Sequence, residues 1–150
     1  MINDLKISGY ASVFGQVDLS GDRVARGAFA ASLLARMEKL PMLFGHKTDT
    51  PIGVWDRVIE DRHGLFVSGR ILSGAKLADQ TIRLVQEYAV TGLSIGYRTN
   101  RSSKTTVGRN LLDLDLWEVS VVAFPMLRSA RITQIGDTLN DNADHNRRIA

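Results

Sequence analysis

The chain has 150 residues, 44% hydrophobic and 23% charged, which suits one domain with a substantial apolar core. It contains no cysteine, and this excludes a disulfide framework, a thiolate zinc site and a cysteine nucleophile. With 19 basic and 16 acidic side chains the net charge is only +3, and their scattered distribution argues against a nucleic-acid-binding surface.

The first part of the chain predicts a strand, a helix and a second strand. Residues 5–14 are rich in β-branched and aromatic side chains, which indicates a strand. Apolar residues recur at helical spacing in 27–40, and Pro41 is expected to end that helix. The apolar run 42–46 is typical of a short buried strand that ends in a histidine.

The central and later parts predict four further strands and a second helix. Residues 52–60 and 64–72 are strand candidates joined by a short, glycine-containing connection, which predicts a hairpin. Residues 75–90 have a helical apolar period, and 92–99 return to strand character. Residues 110–124 begin with Leu/Asp alternation and become continuously apolar, which predicts the longest strand.

Together these patterns favour an α+β fold. The strands occur in hairpin-compatible runs with helices between them, which predicts a mainly antiparallel, barrel-like sheet with two or more surrounding helices, not a doubly wound parallel sheet. The domain is expected to span 1–132. Residues 133–150 are polar and lack a period, so they are predicted to form a mobile tail.

His46 is the histidine with a candidate chemical role. His63 falls in the predicted hairpin turn and His145 in the polar tail, where both are expected to be solvated surface residues. His46 follows a glycine at the polar end of an apolar strand, and imidazole titrates near working pH, so it could act as a general base. The alternative is a half-buried histidine at a strand end without a chemical role.

Ser94 is the candidate nucleophile because of its setting in GLSIGY, between Gly92 and Gly96. Glycines beside a nucleophile allow tight turns and leave space for a substrate backbone and an oxyanion. Both glycines are therefore candidate substrate-contacting residues. The alternative is a serine in a glycine-containing strand that tolerates a bulge.

Glu118 is a carboxylate within an otherwise apolar strand, which is costly unless it has a partner. A protonated histidine is one suitable partner, and an acid that orients a histidine completes a Ser–His–acid arrangement. A structural salt bridge to an arginine is the alternative. Asp113 and Asp115 are predicted to point to the opposite face, because side chains alternate along a strand.

Other site classes lack their motifs. No phosphate-binding glycine loop, HExxH sequence or paired-histidine spacing occurs, so neither a cofactor nor a metal is expected. No apolar run approaches the roughly 18 residues of a membrane helix, and the N-terminus lacks signal-peptide character. The sequence therefore predicts a soluble intracellular protein that does not act at a membrane.

Four blocks of the sequence carry a resemblance to a known family: GYASVFGQVDLSGDRVARGAF at 9–29, MLFGHKTDTPIGVW at 42–55, TGLSIGYR at 91–98 and DLWEVSVVAFPMLRSARI at 115–132. They resemble the HK97-type prohead (capsid-maturation) serine protease family of tailed phages. Each block is weak evidence alone, but the four occur in order and cover most of the chain. Their combination is specific.

The resemblance implies a fold similar to herpesvirus assemblins, which have a β-barrel ringed by helices and a Ser–His pair. It implies a serine endopeptidase with His46 as base, Ser94 as nucleophile and Glu118 as third member. Asp115 could replace Glu118 if the strand were shifted or bulged. Arg128 and Arg131 are oxyanion candidates by the same resemblance, with an ordinary basic surface turn as the alternative.

The resemblance also implies partners and a place of action. The expected substrates are the phage major capsid protein and its scaffold segment, cleaved inside the immature capsid in the bacterial cytoplasm, with self-cleavage and possible homo-dimerisation or higher assembly. One alternative is an inactive capsid-assembly scaffold module. The other, a small nucleic-acid-binding barrel, would expose aromatic residues, whereas Trp55 and Trp117 are expected in the core.

Overall fold

The computed structural model describes residues 2–136, which form eight strands and two helices. In chain order these are β1 (Leu5–Val13), β2 (Arg23–Val24), α1 (Ala30–Ala35), β3 (Leu40–Phe44), β4 (Gly53–Glu60), β5 (Gly64–Ile71), α2 (Lys76–Gln86), β6 (Gly92–Lys104), β7 (Arg109–Val122) and β8 (Arg131–Ile135).

Seven of the strands close into a barrel. Neighbours pair in the order β7-β3-β4-β5-β1-β8-β6, and β6 pairs back with β7. The β3–β7 pairing is parallel and the other pairings of the ring are antiparallel. A ring with an odd number of strands cannot alternate direction throughout, so closure requires a parallel pair. The predicted α+β fold with a mainly antiparallel barrel is confirmed.

The barrel interior is filled by the inward side chains of alternating strand positions. On β5, Leu65, Val67 and Ile71 are completely buried, as period two requires for a strand with one face on the core. Trp55 of β4 is also buried, and its indole N–H donates to the carbonyl of Val119 at 3.0 Å. This bond satisfies the polar atom of the tryptophan and ties β4 across to β7.

Helix α1 is shorter than the helix predicted over 27–40. It spans Ala30–Ala35, and Met37, expected on its apolar face, is 96% exposed. Leu40 and Pro41 lie in β3, so the prediction that Pro41 ends a helix is wrong. Pairing of β3 with β4 and β7 buries Leu40 in the barrel, and this tertiary contact overrides the helical period.

Two other elements differ in extent from their predictions. Helix α2 ends at Gln86, not at residue 90, because Tyr88 adopts a positive φ of 58°. Strand β6 continues to Lys104, five residues beyond the strand predicted over 92–99, because Ser103 pairs opposite Asn110 at the start of β7. Within residues 2–136 no helix is long and apolar enough to cross a membrane.

Strand β8 crosses the predicted end of the domain at residue 132. Ile132 and Ile135 are buried, and the strand pairs with β1 and β6. Residues 133–135, predicted as part of the tail, therefore belong to the barrel. The sequence does not indicate so short a strand, because its stability depends on pairing with β1. Residues 137–150, which include His145, lie outside the described residues, and the tail remains a prediction.

Candidate active site

Three neighbouring strands bring His46, Ser94 and Glu118 together. Strands β6 and β7 pair antiparallel, with Ser94 opposite Ser120 and Gly96 opposite Glu118. Strand β3 pairs with the other edge of β7 and leads directly to His46. The register of these pairings therefore converts large separations along the chain into neighbouring positions on one barrel wall.

The chain turns sharply after β3, which sets the direction of the His46 side chain. Gly45 and His46 both have positive φ, 60° and 62°, and the N–H of Lys47 donates to the carbonyl of Phe44 at 3.1 Å. Two left-handed central residues are the signature of a type I′ turn. For a histidine this conformation costs on the order of 1–2 kcal/mol. The His46 N–H donates to Ser120 Oγ at 2.9 Å, which helps to hold the strained residue in place.

A hydrogen-bonded chain joins the three side chains. His46 Nε2 lies 3.1 Å from Ser94 Oγ, and His46 Nδ1 lies 2.8 Å from Glu118 Oε1. An ionised carboxylate can only accept, so the Nδ1–H donates to Glu118 and Nε2 is left as the acceptor for the Ser94 hydroxyl. This arrangement can transfer a proton from the hydroxyl to the imidazole.

The surroundings of these three side chains favour a charged histidine beside a carboxylate. Glu118 is 6% exposed and Ser94 is 7% exposed, whereas the His46 side chain is 45% exposed. The hydrogen bond to Glu118 raises the pKa of His46 above its usual 6.5, partial burial opposes this shift, and the attraction between the two charges adds to it. The imidazolium that forms after proton transfer is thereby stabilised.

Ser120 is a site residue that the sequence motifs did not indicate. It is completely buried, and its Oγ donates to Glu118 Oε1 at 2.9 Å while accepting the His46 N–H. The available signal was a serine two positions after Glu118 in an apolar strand, since period two puts both residues on one face. Ser120 supplies the buried carboxylate with a second donor.

The two glycines that flank Ser94 make room for other groups. A Cβ on Gly96 would lie 2.7 Å from Cδ of Glu118, so the missing side chain leaves space for the carboxylate. A Cβ on Gly92 would lie 2.7 Å from the carbonyl oxygen of Val122 and 2.8 Å from Cδ of Pro125. Both glycines thus have a packing role, and substrate contact by either stays a prediction.

Gly96→Ala is expected to destabilise the fold by about 1–3 kcal/mol, because the added methyl group overlaps the Glu118 side chain. Urea unfolding of the variant and the parent protein measures this difference. In a Glu118→Ala background the same substitution should cost less, since the overlapping group has been removed. Equal costs in the two backgrounds would contradict this packing role.

Of the predicted oxyanion candidates, Arg128 lies in the turn between β7 and β8, and Arg131 is the first residue of β8. The Arg131 guanidinium donates from Nε to the Arg128 carbonyl at 2.8 Å and from Nη1 to Thr91 Oγ1 at 3.0 Å. The Arg128 side chain is exposed, and its main-chain N–H has no acceptor among residues 2–136. The preceding residue, Leu127, lines the cavity that contains Ser94. The Arg131 side chain therefore braces this turn.

Asp115, the alternative acid, lies on the outer face of the barrel. Its Oδ2 accepts the indole N–H of Trp117 at 3.1 Å and lies 3.8 Å from the Arg98 guanidinium. Trp117 is 55% exposed, so the expectation that it belongs to the core is wrong. The register of β7 against β6 shifts between Leu116 and Glu118, with Trp117 as the extra residue, so the alternation that predicted opposite faces for Asp115 and Glu118 does not continue through this part of the strand.

A cavity of about 100 Å³ opens beside Ser94. Apolar residues of β1 and β6 form part of its wall, and the turn that precedes β2 contributes Asp18 and Asp22. Asp22 is paired with Arg109 at 2.8 Å, and this hydrogen bond lowers the pKa of Asp22. Across residues 2–136, no cluster of three or more His, Asp or Glu side chains is arranged to hold a metal ion.

Comparison with known proteins identifies relatives of this chain. A family model described as caudovirus prohead serine protease matches residues 2–145. The prohead protease of Enterobacteria phage HK97 is 37% identical over 128 residues, which make up 83% of this chain and 57% of that protein. The chain thus spans a little over half the length of this curated relative.

Solved structures share the fold at low sequence identity. The protease of Kaposi's sarcoma-associated herpesvirus, crystallised with a hexapeptide phosphonate inhibitor, matches with a TM-score of 0.63 and 17% identity, over 90% of this chain and 66% of that chain. The capsid assembly protease of bacteriophage T4 matches with a TM-score of 0.63 and 10% identity, over 78% of this chain and 80% of that chain. The predicted resemblance to assemblins is thereby confirmed at the level of fold.

Proposed function

Because this chain belongs to the caudovirus prohead serine protease family, we propose that it is a serine endopeptidase of phage capsid maturation, with Ser94, His46 and Glu118 as its catalytic residues. The observation that carries the proposal is the hydrogen-bonded chain from the Ser94 hydroxyl through His46 to the buried Glu118. A hydroxyl paired with an oriented imidazole is an activated nucleophile.

The reaction would proceed through an acyl-enzyme. Ser94 Oγ attacks the scissile carbonyl carbon while His46 Nε2 takes its proton, and His46 then gives that proton to the leaving amine as the C–N bond breaks. Water attacks the resulting ester in the second half, again with His46 as base, and Ser94 leaves with its proton restored. Glu118 holds the imidazole in one tautomer and stabilises its charged form. The cavity beside Ser94 would receive a substrate side chain.

The main-chain N–H of Arg128 is our candidate for the oxyanion donor. It lacks an acceptor among residues 2–136 and follows Leu127, which lines the Ser94 cavity. Arg131 would act indirectly, because its guanidinium binds the carbonyl of the next peptide group, between Arg128 and Ser129, and so braces the turn that presents this N–H. Loss of one such donor typically costs about 10²–10³ in rate.

The proposed substrates are the phage major capsid protein and its scaffold segment. The supporting comparisons are with a prohead protease and a capsid assembly protease. Action inside the immature capsid in the bacterial host, self-cleavage and homo-oligomerisation are parts of the same proposal.

A fluorophosphonate probe tests the chemistry without knowledge of the cleavage site. Intact mass should show one adduct, and peptide mapping should locate it on Ser94, because activation by His46 distinguishes this hydroxyl from the other serines. A folded chain that forms no adduct would be an inactive assembly module, and an adduct on another serine would refute this site.

Ser120→Ala is expected to lower kcat about tenfold and stability by about 1–3 kcal/mol, since the His46 N–H loses its acceptor and Glu118 loses a donor. A carboxylate with one donor fewer is more basic, so the pKa of His46 should rise further and the acid limb of kcat/KM should move to higher pH. Ser68→Ala on β5 is the control. An acid limb unchanged from the parent's would mean that Ser120 does not position the pair.

A further inference from the structure

A second and larger cleft adjoins the Ser94 cavity. Its volume is about 580 Å³, and the residues it shares with the cavity are Val13, Gln16 and Val24. Ligand sites of this size hold several side chains of a peptide or a small molecule. A substrate seated at Ser94 could therefore continue into this cleft without leaving the protein surface.

The charged lining of the cleft is entirely basic. The residues with basic side chains are Arg23, Arg26, Arg62 and His63, and no carboxylate lines the cleft. All four are exposed. The arrangement contrasts with the Ser94 cavity, whose lining includes Asp18 and Asp22.

The arginine charges are not neutralised within the described part of the chain. Arg23 Nε donates to Asn110 Oδ1 at 2.7 Å, and this neutral amide orients the guanidinium while leaving its charge intact. Arg26 and Arg62 form no ion pair among residues 2–136. Exposed guanidinium groups without an ion-pair partner are suited to bind carboxylates through two parallel hydrogen bonds.

The carboxylates nearest in sequence are engaged elsewhere. Asp22 is paired with Arg109 at 2.8 Å. Asp61 accepts the phenolic O–H of Tyr10 and the main-chain N–H of His63, the latter at 2.7 Å. Glu60 accepts the N–H of Phe29 at 3.1 Å. None of them is therefore directed at the arginines of the cleft.

Main-chain hydrogen bonds assemble the cleft from two segments that are far apart in the chain. The N–H of Phe14 donates to the carbonyl of His63 at 3.0 Å, and the N–H of Gly15 donates to the carbonyl of Val24 at 3.0 Å. The end of β1 thus joins the turn that carries Arg62 to the segment that carries Arg23 and Arg26. The basic groups converge because backbone pairing holds them together.

We propose that this arginine cleft binds acidic side chains of the polypeptide substrate, beside the residue that occupies the Ser94 cavity; the inference rests on the proposed endopeptidase function. Charge complementarity and the shared lining residues favour a peptide that runs through both sites. A nucleic acid would need a longer basic face with stacking aromatics, whereas the aromatic rings here are Phe14 and His63 and the net charge is only +3.

Fluorescence anisotropy with the full chain carrying Ser94→Ala tests the cleft separately from cleavage. The probes are a labelled glutamate-rich peptide, the same peptide with every Glu replaced by Gln, and a single-stranded DNA of equal charge. The acidic peptide should bind about tenfold more tightly than its Gln counterpart and more tightly than the DNA. Arg26→Gln/Arg62→Gln should remove the preference for acid, whereas Arg57→Gln/Arg83→Gln, with the same change in charge at exposed sites outside the cleft, should retain it.

Three results would overturn the inference: equal binding of the acidic and Gln peptides, equal loss in the two double variants, or DNA binding as tight as that of the acidic peptide. Labelling of Ser94 by the fluorophosphonate reports independently on the proposed function. A chain that labels but shows no preference for acid disproves the cleft alone. A chain that prefers acid but does not label disproves the endopeptidase alone.

Discussion

Ser94→Ala is expected to abolish fluorophosphonate labelling and to lower kcat for capsid-protein cleavage by roughly 10⁶-fold, because no other group in the site can form the acyl-enzyme. The protein should still fold. The substitution removes only a hydroxyl from β6, and the pairing of Ser94 opposite Ser120 depends on main-chain groups. Intact mass after labelling, gel analysis of the capsid protein and circular dichroism measure these three outcomes.

Ser103→Ala is the matched control for this experiment. Ser103 lies on the same strand, is exposed, and pairs opposite Asn110 at the far end of β6. This variant should label and cleave like the parent protein. A Ser94→Ala variant that still processes the capsid protein would refute the assignment of the nucleophile.

Glu118→Gln is expected to lower kcat about 10⁴-fold while retaining the shape of the site. The carboxamide can offer its NH₂ group to Nδ1 of His46, which favours the tautomer that carries its proton on Nε2. That nitrogen can then no longer accept the Ser94 proton. Steady-state kinetics with a processed peptide, or the labelling rate with the fluorophosphonate, measures the loss.

The pH dependence identifies the partner of His46. In the parent protein kcat/KM should fall as pH decreases through a pKa above 6.5, since protonated His46 cannot act as base. In Glu118→Gln this acid limb should move to lower pH, because the group that raises the pKa is no longer charged. The His46–Glu118 pair should stabilise the fold fully below pH 6.5, and its contribution should be lost as pH rises through the raised pKa of the folded state.

Asp115→Asn distinguishes between Asp115 and Glu118, the two carboxylates that the sequence offered as the third catalytic member. Asp115 lies on the outer face beside Trp117 and Arg98, so its neutralisation should leave both the rate and the acid limb close to those of the parent. A large loss in Asp115→Asn together with an unchanged profile in Glu118→Gln would reverse the assignment of the third member.

The features that could be predicted from the sequence are those that depend on local patterns, such as alternation and turn residues. The β4–β5 hairpin followed from two strand-like runs and a short turn, and it forms between Gly53–Glu60 and Gly64–Ile71. Alternation along β7 also predicted opposite faces for Asp115 and Glu118, but the register shift between Leu116 and Glu118 breaks the alternation there. Before the shift, alternation with the buried Leu114 and Leu116 accounts for the outward direction of Asp115 and for the exposure of Trp117.

The features that could not be predicted depend on partners distant in the chain. A strand as short as β8 is stable only because β1 and β6 pair with it, and the residues of Arg131–Ile135 alone do not indicate this pairing. The helix predicted over 27–40 ends at Ala35 for a similar reason, because burial of Leu40 in the barrel outweighs the helical period. Ser120 was missed because a serine has no evident function until its neighbours across the strands are known.

By itself, the sequence determined the fold class and the resemblance to a protease family, and it indicated Ser94, His46 and Glu118 as candidate catalytic residues, since composition, periodicity and motif are properties of a linear chain. Only the tertiary structure decided that these residues form one hydrogen-bonded chain, that Ser120 supports it, and that arginines from two distant segments line one cleft. The physical reason is that strand register and barrel closure set distances between residues far apart in sequence, and neither is encoded in any local segment.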